Sequence, residues 1–258
     1  MGTTVTIANR ELRSYFTSPV AYVLMAAFLA LGGYFFYALL TAFNQMLMIY
    51  GMLRNPEMLE RFNLNDMVIR PLLQNMSVLL IFIVPAITMR MFPEEKRAGT
   101  YELLLTSPIR ISDIVIGKFL GGLALVLLMV LLSGFFGLLL LAYGNPEVKL
   151  MLAGYAGLLL MAVSFLAIGT LVSSFTDNVV VAYIGALFAL LVLYTIGWMG
   201  ETVPVPWLQS VIRYLSITEH FQQMLTGVID TRDLVYFATV VGVSLFLAHR
   251  SVESVRWR

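Results

Sequence analysis

Six stretches of this chain run without a single Asp, Glu, Lys, Arg or His: Val20–Phe43, Leu72–Met89, Phe119–Tyr143, Leu150–Phe175, Val179–Met199 and Leu234–Ala248. The third extends back towards Ile114, and the sixth is short but bounded by Asp233 and Arg250. An apolar helix of about 20 residues crosses a hydrocarbon core about 30 Å thick. Strands of a barrel would be about ten residues long and alternate in polarity. These runs are longer and apolar on every side, so the pattern predicts helices whose backbone groups are satisfied internally. The predicted fold is an all-α membrane protein with six transmembrane helices, at about 20–43, 72–92, 114–143, 150–175, 179–199 and 234–249. The first run lacks a processing site, so it reads as a retained span rather than a cleaved signal.

The segments between the runs predict further elements. Residues 5–16 place Val5, Ala8, Leu12, Tyr15 and Phe16 on one helical face, with Asn9, Arg10 and Arg13 on the other. That spacing suits an interfacial helix with its basic side towards lipid headgroups, the alternative being a frayed terminus. Residues 44–70 form a polar loop with a break at Asn55-Pro56 and a short surface helix at Met58–Met67, suited to packing or partner contact. In the 90–118 loop, Gly99 allows a sharp turn. Thr100–Thr106 reads as a short helix carrying Leu103, Leu104 and Leu105, stopped by Ser107-Pro108. Ser112 or Asp113 can cap the helix that follows. Those leucines need a partner: the protein's own core, the membrane surface or another subunit. Beyond Pro204 and Pro206, the stripe Trp207, Leu208, Val211, Ile212 and Leu215 predicts an amphipathic helix. Ser216 and Glu219 have capping-box spacing for a second one. Such a pair either dips into the outer leaflet or lies flat on the surface.

Composition agrees with the pattern. Apolar residues make up 60% and charged residues 12%, about half the usual charged fraction of a soluble domain. A net charge of +1 provides no field for nucleic acid. The absence of cysteine excludes disulfides and thiolate chemistry. Lys and Arg divide ten to six between alternate sides if both termini are cytoplasmic.

Tests for chemistry come out negative. Gly117-Lys118 fails as a phosphate loop because Ser112 and Phe119 stand where Gly and Ser/Thr are needed, and Lys118 reads instead as an interfacial anchor. The six uncharged runs hold no ionisable group of the kind that proton- or ion-coupled carriers use. Their polar residues, including Gln74, Asn75, Ser133, Ser164, Thr170 and Thr195, read as bonds between helices. His220 and His249 have no ligand-like neighbours at helical spacing, so no catalytic or metal residue is assigned. Gly117 and Gly121 form a small-xxx-small pair, beside Gly122, for internal packing or a dimer contact. A helical bundle with no energy source of its own suits a subunit driven by a partner.

The run EEKRAGTYELLLTSPIRISDIVIGKFLGG resembles the first cytoplasmic loop of type-2 ABC transporter permeases, through Glu94 to Arg97, Gly99, Thr100, Glu102, Leu103, Leu104, Ser107 and Pro108. ANRELRSYFTSP, from Ala8 to Pro19, resembles that family's interfacial helix. HFQQMLTGVIDTRDLVYF, with the terminal ESVRWR, resembles its gliding-motility branch. The resemblance implies a permease subunit of an ATP-driven exporter in the bacterial cytoplasmic (inner) membrane, with both termini cytoplasmic. It implies a coupling helix that docks on a separate ABC ATPase dimer, through Gly99, Thr100, Glu102, Leu103, Leu104, Leu105, Thr106, Ser107 and Pro108. The turn from Ser173 to Asn178 would be a second, smaller contact, and Glu94, Glu95 and Arg97 would be gate-side charges. Residues 204–229 would be a re-entrant pair closing the external side. A second permease chain, identical or related, is implied, and the architecture admits an accessory extracytoplasmic subunit. ATP and Mg would sit on the partner, leaving no cofactor on this chain. The rival readings are a membrane anchor or scaffold for an ATPase-driven machine without transport, and a stand-alone carrier or channel.

Overall fold

The computed structural model describes residues 2–52, 63–99, 110–144, 146–202 and 204–255. Every regular element among them is helical. They are α1 (Thr3–Thr17), α2 (Pro19–Met52), α3 (Arg70–Thr88), α4 (Pro93–Arg97), α5 (Ile111–Tyr143), α6 (Val148–Phe175), α7 (Val179–Thr202), α8 (Pro206–Leu215), α9 (Ile217–Leu225) and α10 (Thr231–Val255). Six helical stretches among the described residues are long and apolar enough to cross a membrane: Pro19–Ile49, Asn65–Arg97, Ile111–Tyr143, Val148–Phe175, Val179–Gly200 and Thr231–Ser254.

The expected short surface helix at Met58–Met67 takes another form. Residues 58–62 lie outside the described residues, as does the expected break at Asn55-Pro56. Asn65–Ile69 is a π-helical turn running directly into α3, with Asn65, Val68 and Ile69 buried. The segment therefore belongs to the start of the second span.

α6 and α3 form the buried centre, while α2 and α7 face outward over most of their length. Small residues on α6 allow its neighbours to approach. A methyl group on Gly169 would collide with the Thr88 hydroxyl oxygen of α3, and one on Gly157 would lie 3.0 Å from Met224 Cβ of α9. Larger residues there would force the helices apart. The outer faces carry Leu31, Tyr34 and Tyr37 on α2, Leu131 and Phe135 on α5, Phe188 on α7 and Phe246 on α10, all exposed. Surface this extensive and apolar suits lipid rather than water, so the protein is a multi-pass membrane protein.

The polar residues inside the spans do not act as expected. Ser133, Ser164, Thr170 and Thr195 turn back to the carbonyls of Val130, Leu160, Leu166 and Leu191 on their own helices. Bonds between elements come from tyrosines and from Thr170: Tyr155 donates to the Ser133 carbonyl at 2.9 Å, Tyr194 lies 3.3 Å from the Ser77 hydroxyl, and the Thr170 hydroxyl also reaches Met91 Sδ at 3.6 Å. A hydroxyl in a helix has a carbonyl one turn back within reach, so it is satisfied without a neighbour.

α8 and α9 differ in kind. α8 has no buried residue, and Trp207, Val211 and Leu215 of its expected apolar stripe are exposed. α9 buries Ile217, Phe221, Met224 and Leu225 against the bundle. The expected capping box is absent, since Ser216 makes no side-chain cap bond.

The two ends of the bundle are distinct. α1, α4, the start of α5, the end of α6 and the end of α10 meet at one end, and α8, α9 and the start of α10 meet at the other. With no native cysteine, single replacements report this directly. Arg97→Cys and Arg250→Cys are expected to react with an impermeant thiol reagent from one side of sealed vesicles, and Trp207→Cys and Asp230→Cys from the other. Labelling of Arg97→Cys and Trp207→Cys from the same side would refute the topology.

Candidate functional site

The first end is organised around one buried cation. The Lys118 side chain, on the second turn of α5, is 1% exposed. Its ammonium lies 2.8 Å from Glu11 Oε1 of α1 and 3.0 Å from Glu95 Oε1 of α4. The Phe92 ring sits beneath it, 5.5 Å from the ammonium to the centroid, within cation–π range. Arg10 donates to the same Glu95 oxygen at 2.6 Å and approaches Glu11 at 3.4 Å. Two cations and two carboxylates thus meet where α1, α4 and α5 converge. Lys118 is therefore not the snorkelling anchor expected of it, while Arg10, 54% exposed, pairs with Glu95. Arg13, by contrast, is exposed.

Sequence explains why α1 seats here. A methyl group on Gly117 would lie 2.8 Å from Ile7 Cβ, and one on Gly121 would lie 2.6 Å from Glu11 Cβ. The small-xxx-small pair is the groove that receives α1, which decides between its two readings in favour of internal packing. Asp113 also differs from expectation. Arg110 occupies the N-cap of α5 and makes no side-chain cap bond, while Asp113 accepts a bond from the Thr4 hydroxyl at 2.9 Å. At the other end of α1, the Tyr15 hydroxyl donates to the Ile87 carbonyl at 3.2 Å. Burial, and then the Glu11 and Glu94 carboxylates, raise its pKa, so it stays protonated as the donor.

α4 is held on its other side by Lys96. Its ammonium lies 2.9 Å from the Ser174 carbonyl, 3.5 Å from that of Thr176 and 3.1 Å from the Asp177 carboxylate. A cation at a helix C-terminus satisfies orphan carbonyls and meets the negative end of the helix dipole. Ser251 of α10 donates to the same Ser174 carbonyl at 3.3 Å. The turn then begins α7 with a side-chain cap, Asn178 Oδ1 accepting the Val180 amide at 2.9 Å.

The candidate site residues sort as follows. Gly99 adopts φ +70°, a left-handed conformation that favours glycine, so the chain turns there as expected. Thr100, Glu102, Leu103, Leu104, Leu105, Thr106, Ser107 and Pro108 lie outside the described residues. Of the three charges assigned to a gate, Glu94 pairs with Arg90 at 3.4 Å, Glu95 joins the Lys118 cluster and Arg97 is exposed. Ser173 to Asn178 comes against Lys96. Sequence reasoning missed the partners of Lys118 and Lys96 because each ion pair joins residues far apart in the chain. The one local signal was a lysine with no place in an apolar helix.

At the far end, His220 and Asp233 form a buried pair at 2.6 Å. This was missed because Asp233 reads as a boundary charge and the partners sit on different helices. Among the described residues, no group of three or more His, Cys, Asp and Glu side chains is placed to hold a metal.

A family model described as ABC-2 family transporter protein matches residues 5–251. No individual curated protein matches the chain.

Removing Lys118 leaves the half-exposed Arg10 as the one cation of the cluster to answer two carboxylates. Breaking such a buried pair costs about 3–5 kcal/mol. Lys118→Met is expected to lower the unfolding midpoint in detergent. Combining it with Glu11→Gln and Glu95→Gln is expected to restore most of the loss. An unchanged midpoint in the single variant would refute the pinning role.

Proposed function

This chain belongs to the ABC-2 family of transporter proteins, and we propose that it is the membrane-spanning permease subunit of an ATP-driven exporter. Family membership makes it a membrane component of an ABC transporter. In the finer reading, a separate ABC ATPase dimer binds ATP with Mg and docks on the segment from Gly99 to Pro108. Glu102 and Leu103 to Leu105 meet the ATPase, and Ser173 to Asn178 makes the smaller contact. The end holding α1 and α4 is cytoplasmic, with both termini, in a bacterial inner membrane. A second permease chain, identical or related, completes the path.

The observation that carries this reading is the double attachment of α4. The segment between Gly99 and Arg110 leaves α4 and enters α5. α4 is tied to α1 and α5 through Glu95 and Lys118, and to the end of α6 through Lys96. A push on that segment therefore reaches three helices at once instead of bending one loop. Packed elements of this kind move as bodies between discrete arrangements. Glu94, Glu95 and Arg97 serve this attachment, with Arg97 facing outward to a partner.

One observation favours the rival scaffold reading. The hydroxyls of Ser133, Ser164 and Thr195 are spent on their own helices, and that of Thr170 on its own helix and Met91. A single chain thus offers little polar lining, and an exporter would need its path between two chains. ATP-dependent flux in liposomes holding both permease chains and the ATPase separates the two readings, because the scaffold gives none.

Two variants test coupling. Replacing Glu102 and Leu103–Leu105 with Ser is expected to abolish co-purification of an ATPase from native membranes. Lys96→Gln is expected to retain the ATPase but lower transport per ATP hydrolysed by about tenfold. Undiminished binding in the first variant would sink the docking role. Unchanged transport per ATP in the second would sink the lever.

A further inference from the structure

The far end of the bundle holds an ionisable pair that the coupling reading does not use. His220 lies on α9, and Asp233, 1% exposed, lies on the first turn of α10. His220 Nδ1 is 2.6 Å from Asp233 Oδ1, and Nε2 is 3.1 Å from the backbone carbonyl of Tyr214 on α8. The Tyr236 ring of α10 stacks on the imidazole with centroids 3.9 Å apart and an interplanar angle of 19°. One imidazole therefore joins three helices. Neither α8 nor α9 spans the membrane; α8 packs on α7 without burying a residue and α9 is seated on α6 and α7, so this junction is what ties the two to α10.

The partners dictate how many protons the pair holds. A backbone carbonyl only accepts, so Nε2 must carry a hydrogen. At 2.6 Å, Nδ1 and the carboxylate also need one hydrogen between them, on whichever atom it rests. Two protons close the junction. With one withdrawn, a lone pair faces a lone pair, either at the carboxylate or at the carbonyl. Asp233 Oδ2 is buried without a hydrogen-bond partner, so no second donor compensates.

We propose that His220 and Asp233 form a proton-binding latch that holds α8 and α9 against α10 and frees this end of the bundle when one proton leaves. The ionisable groups that face the ring are Tyr214 from α8 and Asp233 and Tyr236 from α10. α6 presents Gly154 and Gly157 to the buried side of α9, and α7 presents the Tyr194 carbonyl to Thr218. Glu219, next to His220 in the chain, is exposed. Tyr236 donates to the Leu215 carbonyl at 2.8 Å, so its hydroxyl braces the same junction without entering the proton exchange. The latch does not depend on the coupling reading, and the two fail by different experiments.

The test uses the full chain in lipid nanodiscs with one introduced thiol. Thr218→Cys, buried on α9, reports opening, and Gln222→Cys, exposed on the same helix, corrects for the reagent's own pH dependence. The corrected labelling rate of Thr218→Cys is expected to rise about tenfold as the pH is raised. In the Asp233→Asn background, the amide donates to Nδ1 while Nε2 keeps its hydrogen on Tyr214. The junction then stays closed and its labelling flat with pH. Asp233→Leu removes the partner and is expected to label fast at every pH. A flat profile in the parent, or an Asp233→Asn variant that follows the parent, overturns the latch. Should the leucine variant fail to fold, the comparison of parent and Asp233→Asn alone decides, because a merely structural pair predicts that they behave alike.

Discussion

A buried ammonium must be neutralised where it sits, and Lys118 imposes that condition on the whole first end of the bundle. Left unpaired, an ion in such a site carries a desolvation penalty of several kcal/mol. Glu11 and Glu95 meet the condition from two other elements, which fixes where α1 and α4 lie. The glycines on either side of Lys118 then make sense. They let α1 come close enough for a glutamate to reach an ammonium. Close approach and charge pairing are one requirement here, since a methyl group at Gly121 would displace the residue that neutralises Lys118.

The two ends solve different problems. At the first, ion pairs and a capped helix terminus bind short elements firmly to long ones. At the far end, the short helices pack on α6 and α7 through apolar side chains and reach α10 through one imidazole and a tyrosine hydroxyl. Between them α3 and α6 form a tightly packed middle, in which Gly157 and Gly169 admit neighbouring side chains at contact distance. Stiff middle and unequal ends are consistent with a body that transmits motion along its length.

Much of the fold was legible in the sequence, because lipid demands long uncharged runs and nothing else in a chain looks like them. The ends of the runs were less legible. Asn65–Ile69 reads as polar loop because Asn65 and Asp66 are polar, yet tertiary packing buries Asn65 within the second span. Charge was the least legible. Arg10 and Lys118 look like headgroup anchors when their partners are unknown, and those partners lie 85 and 107 residues away. Asp233 reads as the polar edge of a span until α9 folds back over it. Periodicity reports what faces apolar surroundings; it carries no record of which distant charge answers which.

The first cluster has a further electrical consequence. Arg10 and Lys118 are matched by Glu11 and Glu95, so the group carries no net charge as a unit. Moving one elementary charge through a membrane potential of 100 mV involves about 2.3 kcal/mol. A neutral group displaced as a body does almost none of that work. The membrane voltage therefore gains little purchase on this cluster, and the charge it can act on at this end lies outside it, on the exposed Arg13 of α1 and Arg97 of α4.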